Sequence, residues 1–86
     1  MRPRLAAGCR LSDKSSSPRM LLMPERALRL SGPSLDIVTR CDGRRTVGEI
    51  IAELQTLYSK AEPGRVEEDV LNYLALLHEK RALDFE

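Results

Sequence analysis

Strands first and helices afterwards, two of the helices joined by a short turn, make this chain an α+β domain of winged helix-turn-helix type. Three observations carry that expectation. Period-two apolar patterning is confined to the first 30 residues, apolar positions at helical spacing fill the stretch from Leu35 to Leu77, and Cys41-Asp42-Gly43 breaks the helical pattern with a turn. The strands must lie on the helices, because a small sheet alone cannot bury Leu28 and Leu30.

Residues 1–14 read as one half-buried strand, with Leu5, Ala7, Cys9 and Leu11 on one parity and Gly8 as a bulge or weak point in its middle. Lys14 to Pro18 is a polar, serine-rich loop that is expected to be mobile. Arg19–Met23 and Arg26–Leu30 form two antiparallel strands around a tight turn at Pro24-Glu25, where proline supplies a preset φ and needs no donor. Leucine and methionine are indifferent strand formers, so propensity alone leaves helix open; the proline decides for strand.

Ser31-Gly32-Pro33-Ser34 starts the first helix, whose apolar face is Leu35, Ile37, Val38 and Cys41. Asp42-Gly43 stops it, glycine acting as a left-handed cap. Thr46-Val47-Gly48-Glu49 has the form of a capping box and opens a second helix carrying Val47, Ile50, Ile51, Leu54, Leu57 and Tyr58. Pro63-Gly64 reads as part of a connector. A third helix follows from about Arg65 to His78, with Glu67, Glu68 and Asp69 in its first turns and a broad stripe through Val66, Val70, Tyr73, Leu74 and Leu77. The tail Leu83-Asp84-Phe85 is a short extended segment or packs loosely.

Length and composition narrow the function. A chain of 86 residues makes one domain near the lower limit for an unaided core, and with only 3% aromatic residues that core is aliphatic. Cys9 and Cys41 match no metal spacing, and His78 cannot complete a zinc site with them, so no metal or cofactor is expected. No secretory signal is apparent, and the longest apolar run is far too short to span a bilayer, which points to a reduced, cytoplasmic setting with free thiols. Net charge is +1, but residues 1–45 hold ten Lys/Arg against four Asp/Glu, whereas residues 46–86 hold four against nine. Halves of +6 and −5 could steer an acidic partner to one face; a solvated charged surface explains the same distribution.

No catalytic constellation can be assembled, so an enzyme is not expected. Cys41 beside Asp42 looks site-like, yet no base stands near to make a thiolate, and core, cap and positive-φ roles account for Cys41, Asp42 and Gly43. Arg40, Arg44 and Arg45 would contact phosphate in a helix-turn-helix protein, but the helices beside them carry Glu49, Glu53 and an acidic first turn, which a phosphate backbone repels. Fold alone does not make a nucleic-acid binder. Glu67, Glu68 and Asp69 point in different directions on a helix and do not converge on an ion. If the strand Arg26, Ala27, Leu28, Arg29, Leu30 is an edge, its main chain can recruit an extended peptide, with Val70, Tyr73, Leu74 and Leu77 lining the adjacent groove. The same residues serve equally as ordinary core, or as an edge that pairs with itself in a homodimer.

Pro3 and Leu5, Gly8-x-x-Leu11, LLxPE at Leu21–Glu25, CDG at Cys41–Gly43, TVxEII at Thr46–Ile51 and Asp69-Val70 together resemble the pyrroloquinoline quinone (PQQ) biosynthesis protein D family over nearly the whole chain. The resemblance implies a three-stranded antiparallel sheet packed on three helices. It also implies a chaperone-like protein that binds a ribosomally made precursor peptide and presents it to a radical S-adenosylmethionine (SAM) enzyme, which cross-links a Glu and a Tyr of the peptide. In such elements the leader adds a strand beside the third strand, against the last helix; on this chain that means Arg26 to Leu30 and residues 65–78. Lys80-Arg81-Ala82-Leu83 departs from the pattern, which has a glycine before the last apolar residues. Two rival readings stand beside this one, a winged-helix nucleic-acid binder using Arg40, Arg44 and Arg45, and a structural homo-oligomeric module.

Overall fold

The computed structural model describes residues 1–15 and 17–86. The loop expected at Lys14–Pro18 includes Ser16, which lies outside the described residues. Among the described residues, five strands and three helices occur in the order β1 (Pro3–Leu5), β2 (Arg10–Leu11), β3 (Arg19–Met23), β4 (Arg26–Leu30), α1 (Pro33–Thr39), α2 (Val47–Leu57), α3 (Pro63–Glu79) and β5 (Leu83–Phe85). β2, β3 and β4 form a three-stranded antiparallel sheet in that order, while β1 pairs with β5 in a separate antiparallel pair.

The hairpin at Pro24-Glu25 forms as expected, with Met23 opposite Arg26 and Arg19 opposite Leu30. Leu21, Leu28 and Leu30 share the face turned to the helices, and Leu21 and Leu30 are fully buried there. The remainder of the core comes from Ile37, Val38 and Cys41, from Ile50 and Leu54 of α2, from Val66, Val70, Leu74 and Leu77 of α3, and from Ala82 and Leu83 after it. This core is aliphatic, as the composition requires, and among the described residues no charged side chain is buried in it.

Four details differ from the sequence reading. Residues 1–14 are two strands in two sheets. Gly8, at φ +86°, reverses the chain between them, and the Cys9 N–H donates to Ala6 O at 3.0 Å. The alternation Leu5-Ala7-Cys9-Leu11 arises because Leu5, Cys9 and Leu11 each touch the core from a different place. Second, α1 ends at Thr39 with tightened bonds from Arg40 N to Ile37 O and Cys41 N to Val38 O, so Gly43 is not its cap. The positive φ of Gly43 (+77°) instead brings its N–H to Pro3 O at 2.9 Å, beside the Arg4–Asp42 bridge. Third, α3 begins at Pro63, whose missing N–H costs nothing at the first helical position. That earlier start moves Glu67, Glu68 and Asp69 into the second turn. Fourth, Leu83–Phe85 is not a loose tail but the strand that closes over β1, with Leu83 wholly buried.

Candidate peptide-binding site

β4 ends the three-stranded sheet. One side of it pairs with β3, and among the described residues no strand pairs with the other. Leu28 and Leu30 point toward the helices, so Ala27 and Arg29 point away and are exposed. The backbone donors and acceptors along the outer side are a template for another extended chain.

Beside the end of this strand a groove of about 400 Å³ runs between α1 and α3. Ser31, Pro33, Ser34 and Ile37 form one wall; Asp69, Asn72, Tyr73 and Leu76 form the other. The α3 wall has spacing i, i+3, i+4, i+7, a second stripe rotated from the core stripe. Tyr73 is half-buried; burial raises its phenol above the usual range, partly offset by a hydrogen bond with Ser34. Ser34 is itself fixed, donating to Ser31 O at 2.8 Å and accepting from Ser31 N at 3.0 Å. The groove continues into a smaller apolar cavity of about 90 Å³ between Leu54, Tyr58, Ala61 and Val66. Tyr58 is anchored there by donating its hydroxyl to the Asp36 carboxylate, which raises the phenol pKa.

Of the residues assigned to the groove from sequence, Tyr73 lines it. Val70, Leu74 and Leu77 are each at most 2% exposed and pack in the core, Val70 also edging the smaller cavity into which the groove continues. The helix carries one wholly apolar stripe, which the protein buries, and beside it a mixed stripe in which Tyr73 and Leu76 stand with Asp69 and Asn72. The sequence gives no signal for Asn72; Leu76 belongs to the broadened apolar stripe of the third helix, and it lines the groove because it follows Tyr73 by three residues on the outer side of the core stripe.

The other sequence candidates are structural. Cys41 is buried and donates its thiol to Ile37 O at 3.3 Å; burial, with the nearby charge of Asp42, pushes its pKa up to about 12. Asp42 accepts from the N–H groups of Arg44 (2.9 Å) and Arg45 (3.2 Å), which lowers its pKa. Arg40 and Arg45 are paired with carboxylates: each places Nε 2.9 Å from Glu53, and Arg45 also reaches Asp42 at 2.6 Å. Guanidinium groups neutralised in this way are poorly placed to hold phosphate. Among the described residues no three His, Cys, Asp or Glu side chains converge as metal ligands, and no helix is long and apolar enough to cross a membrane.

The model of the family described as Coenzyme PQQ synthesis protein D (PqqD) matches residues 19–83. This chain belongs to the PqqD family. Similar PqqD relatives include a PqqA binding protein of Xanthomonas axonopodis pv. citri (strain 306), 37% identical over 83 residues, which cover 95% of this chain and 89% of the relative. Among solved structures, the solution NMR structure of the PqqD truncation of Methylobacterium extorquens PqqCD superposes with a TM-score of 0.75. It is 38% identical, with 96% of this chain and 88% of that one covered. That protein is described as a functional, stand-alone recognition element for ribosomally synthesized and post-translationally modified peptides. The crystal structure of PqqD from Xanthomonas campestris aligns at a TM-score of 0.64 and 33% identity, covering 94% of this chain and 90% of that one. The PqqD fold is therefore the α+β arrangement of three helices and a three-stranded antiparallel sheet that the sequence led us to expect.

Proposed function

We infer that residues 1–86 act as one non-catalytic module of PQQ biosynthesis in the cytoplasm. The module captures the ribosomally made precursor peptide by strand addition along Arg26–Leu30 and presents it to the radical SAM enzyme of the pathway. The observation that carries this reading is the unpaired side of β4 ending beside a groove walled by Tyr73 and Leu76. Main-chain pairing at the edge would supply affinity, and the groove would take apolar leader side chains. The names of the relatives, one a PqqA binding protein and one a recognition element for ribosomally synthesized and post-translationally modified peptides, support it.

Isotope-labelled protein titrated with synthetic PqqA peptide from Xanthomonas axonopodis pv. citri tests it. Amide shifts should concentrate in residues 26–30 and at Asp69, Asn72, Tyr73 and Leu76, and Leu76→Glu should abolish them. Shifts confined to the β1–β5 pair, or concentration-dependent shifts along β4 without peptide, would replace this reading with another docking surface or with self-pairing of the edge.

A further inference from the structure

At the hairpin end of β4, away from the Tyr73 groove, Arg26 opens the strand while Lys80 and Arg81 follow the last turn of α3. Together with Met23, Pro24 and Glu25 they line one concavity of about 290 Å³. All three cations are exposed, and among the described residues none lies within ion-pair distance of a carboxylate. Arg4, Arg40, Arg45 and Arg65, in contrast, are each paired. Glu25 on the rim is a single negative charge against three positive ones.

Lys80 is explained by the helix, because a cation suits the C-terminal end of the dipole. Arg81 is not. The end of α3 is a Schellman turn, with Arg81 N donating to His78 O at 3.0 Å and Ala82 N to Leu77 O at 2.9 Å. That turn forces its central residue into the left-handed region, and Arg81 has φ +60°, the one positive φ among the described non-glycine residues. Glycine would occupy the position without strain. The position instead carries a cation, which lines the same concavity as Arg26 at the start of the edge strand.

We propose that Arg26, Lys80 and Arg81 form a carboxylate-binding subsite that fixes the register of an acidic extended peptide added along β4. Strand addition through the main chain alone is degenerate, since a two-residue slip keeps every side chain on its face. An anion clamp at one end of the strand breaks that degeneracy, and charge-assisted hydrogen bonds from guanidinium groups are among the strongest available at an open surface.

This inference rests on the peptide-binding reading, and a double-mutant cycle separates the two. The probe is the same PqqA peptide, alongside copies in which each Asp or Glu in turn is replaced by its amide. Arg81→Gly should raise the melting temperature, because the strain is relieved, yet weaken the peptide about tenfold, as loss of a charge-assisted contact does. A purely structural role would move both in the same direction. Arg26→Gln should behave likewise in binding, and one amide-substituted peptide should be insensitive to both variants. If the peptide binds at β4 but its affinity, its salt dependence and every cycle are unchanged by Arg26→Gln and Arg81→Gly, the subsite is wrong and the peptide-binding reading survives. If the wild-type protein does not bind the peptide, both fall.

Discussion

Arg40, at the end of α1, reaches across to Glu53 on α2 and places its Nε 2.9 Å from Oε1. Arg45 takes the other oxygen at the same distance, so one carboxylate ties both helices and the turn between them. Glu53→Gln should lower stability by about 1–2 kcal/mol at low salt, since two partly exposed charge-assisted contacts weaken together. A urea melt measures this, and the gap between variant and wild type should narrow in high salt. The same variant removes one carboxylate from beside each guanidinium, leaving Asp36 for Arg40 and Asp42 for Arg45, and any gain in duplex-DNA retention would reveal binding that Glu53 suppresses in the native protein.

The two stripes of α3 should respond oppositely to substitution. Leu77 is 0% exposed, so Leu77→Ala is expected to cost about 2–5 kcal/mol, the range for truncating a large core side chain. Leu76 is 39% exposed, and Leu76→Glu should change stability by less than about 0.5 kcal/mol, as substitutions on open surface usually do. Chemical denaturation of both variants checks the assignment. A large loss in Leu76→Glu would mean that the groove wall is part of the core.

The thiols should differ in reactivity. Cys41 is buried, with its pKa pushed up to about 12, whereas Cys9 is half-exposed at the turn after Gly8. An aromatic disulfide reagent at pH 8 should modify one thiol per chain quickly and the second only on unfolding. Cys9→Ser should remove the fast phase.

Acid should weaken the turn between α1 and α2. The Arg44 N–H, then the Arg45 N–H and guanidinium, hold the Asp42 carboxyl below its ordinary 3.8, and the Thr46 N–H holds Glu49 below 4.5. Both folded values lie below the unfolded ones, so this stabilisation is complete above the unfolded values and is lost as pH falls through the folded ones. An Asp42→Asn/Glu49→Gln double variant should be less stable than wild type at pH 7, and the two stability curves should converge below pH 4. Parallel curves across that range would show that other carboxylates govern the acid limb.

Which expectations survived folding follows from the range of the forces involved. The Pro24-Glu25 hairpin and the Thr46–Glu49 capping box formed as read. In the box, Glu49 N donates to Thr46 Oγ1 at 3.1 Å and Thr46 N to Glu49 Oε1 at 2.8 Å. Each is decided within a few residues by a preset φ or a side chain reaching its own backbone. The start of α3 was misplaced by two residues because Pro63-Gly64 resembles a turn, and only the helix beyond it shows that proline is the first helical residue.

By itself, then, the sequence determined the α+β class, the hairpin, the helices and the aliphatic character of the core, since those depend on periodicity and near-neighbour chemistry. Tertiary structure decided that residues 1–14 split between two sheets, because the strand that pairs with β1 is Leu83–Phe85, about eighty positions away. It also decided that Val70, Leu74 and Leu77 face inward and Asn72, Tyr73 and Leu76 line the groove. The wholly apolar stripe packs into the core, and how far the half-apolar stripe beside it is covered depends on where α1 is laid. The gathering of Arg26, Lys80 and Arg81 has the same origin: residues more than fifty positions apart meet only when the edge strand and the last helix are laid side by side.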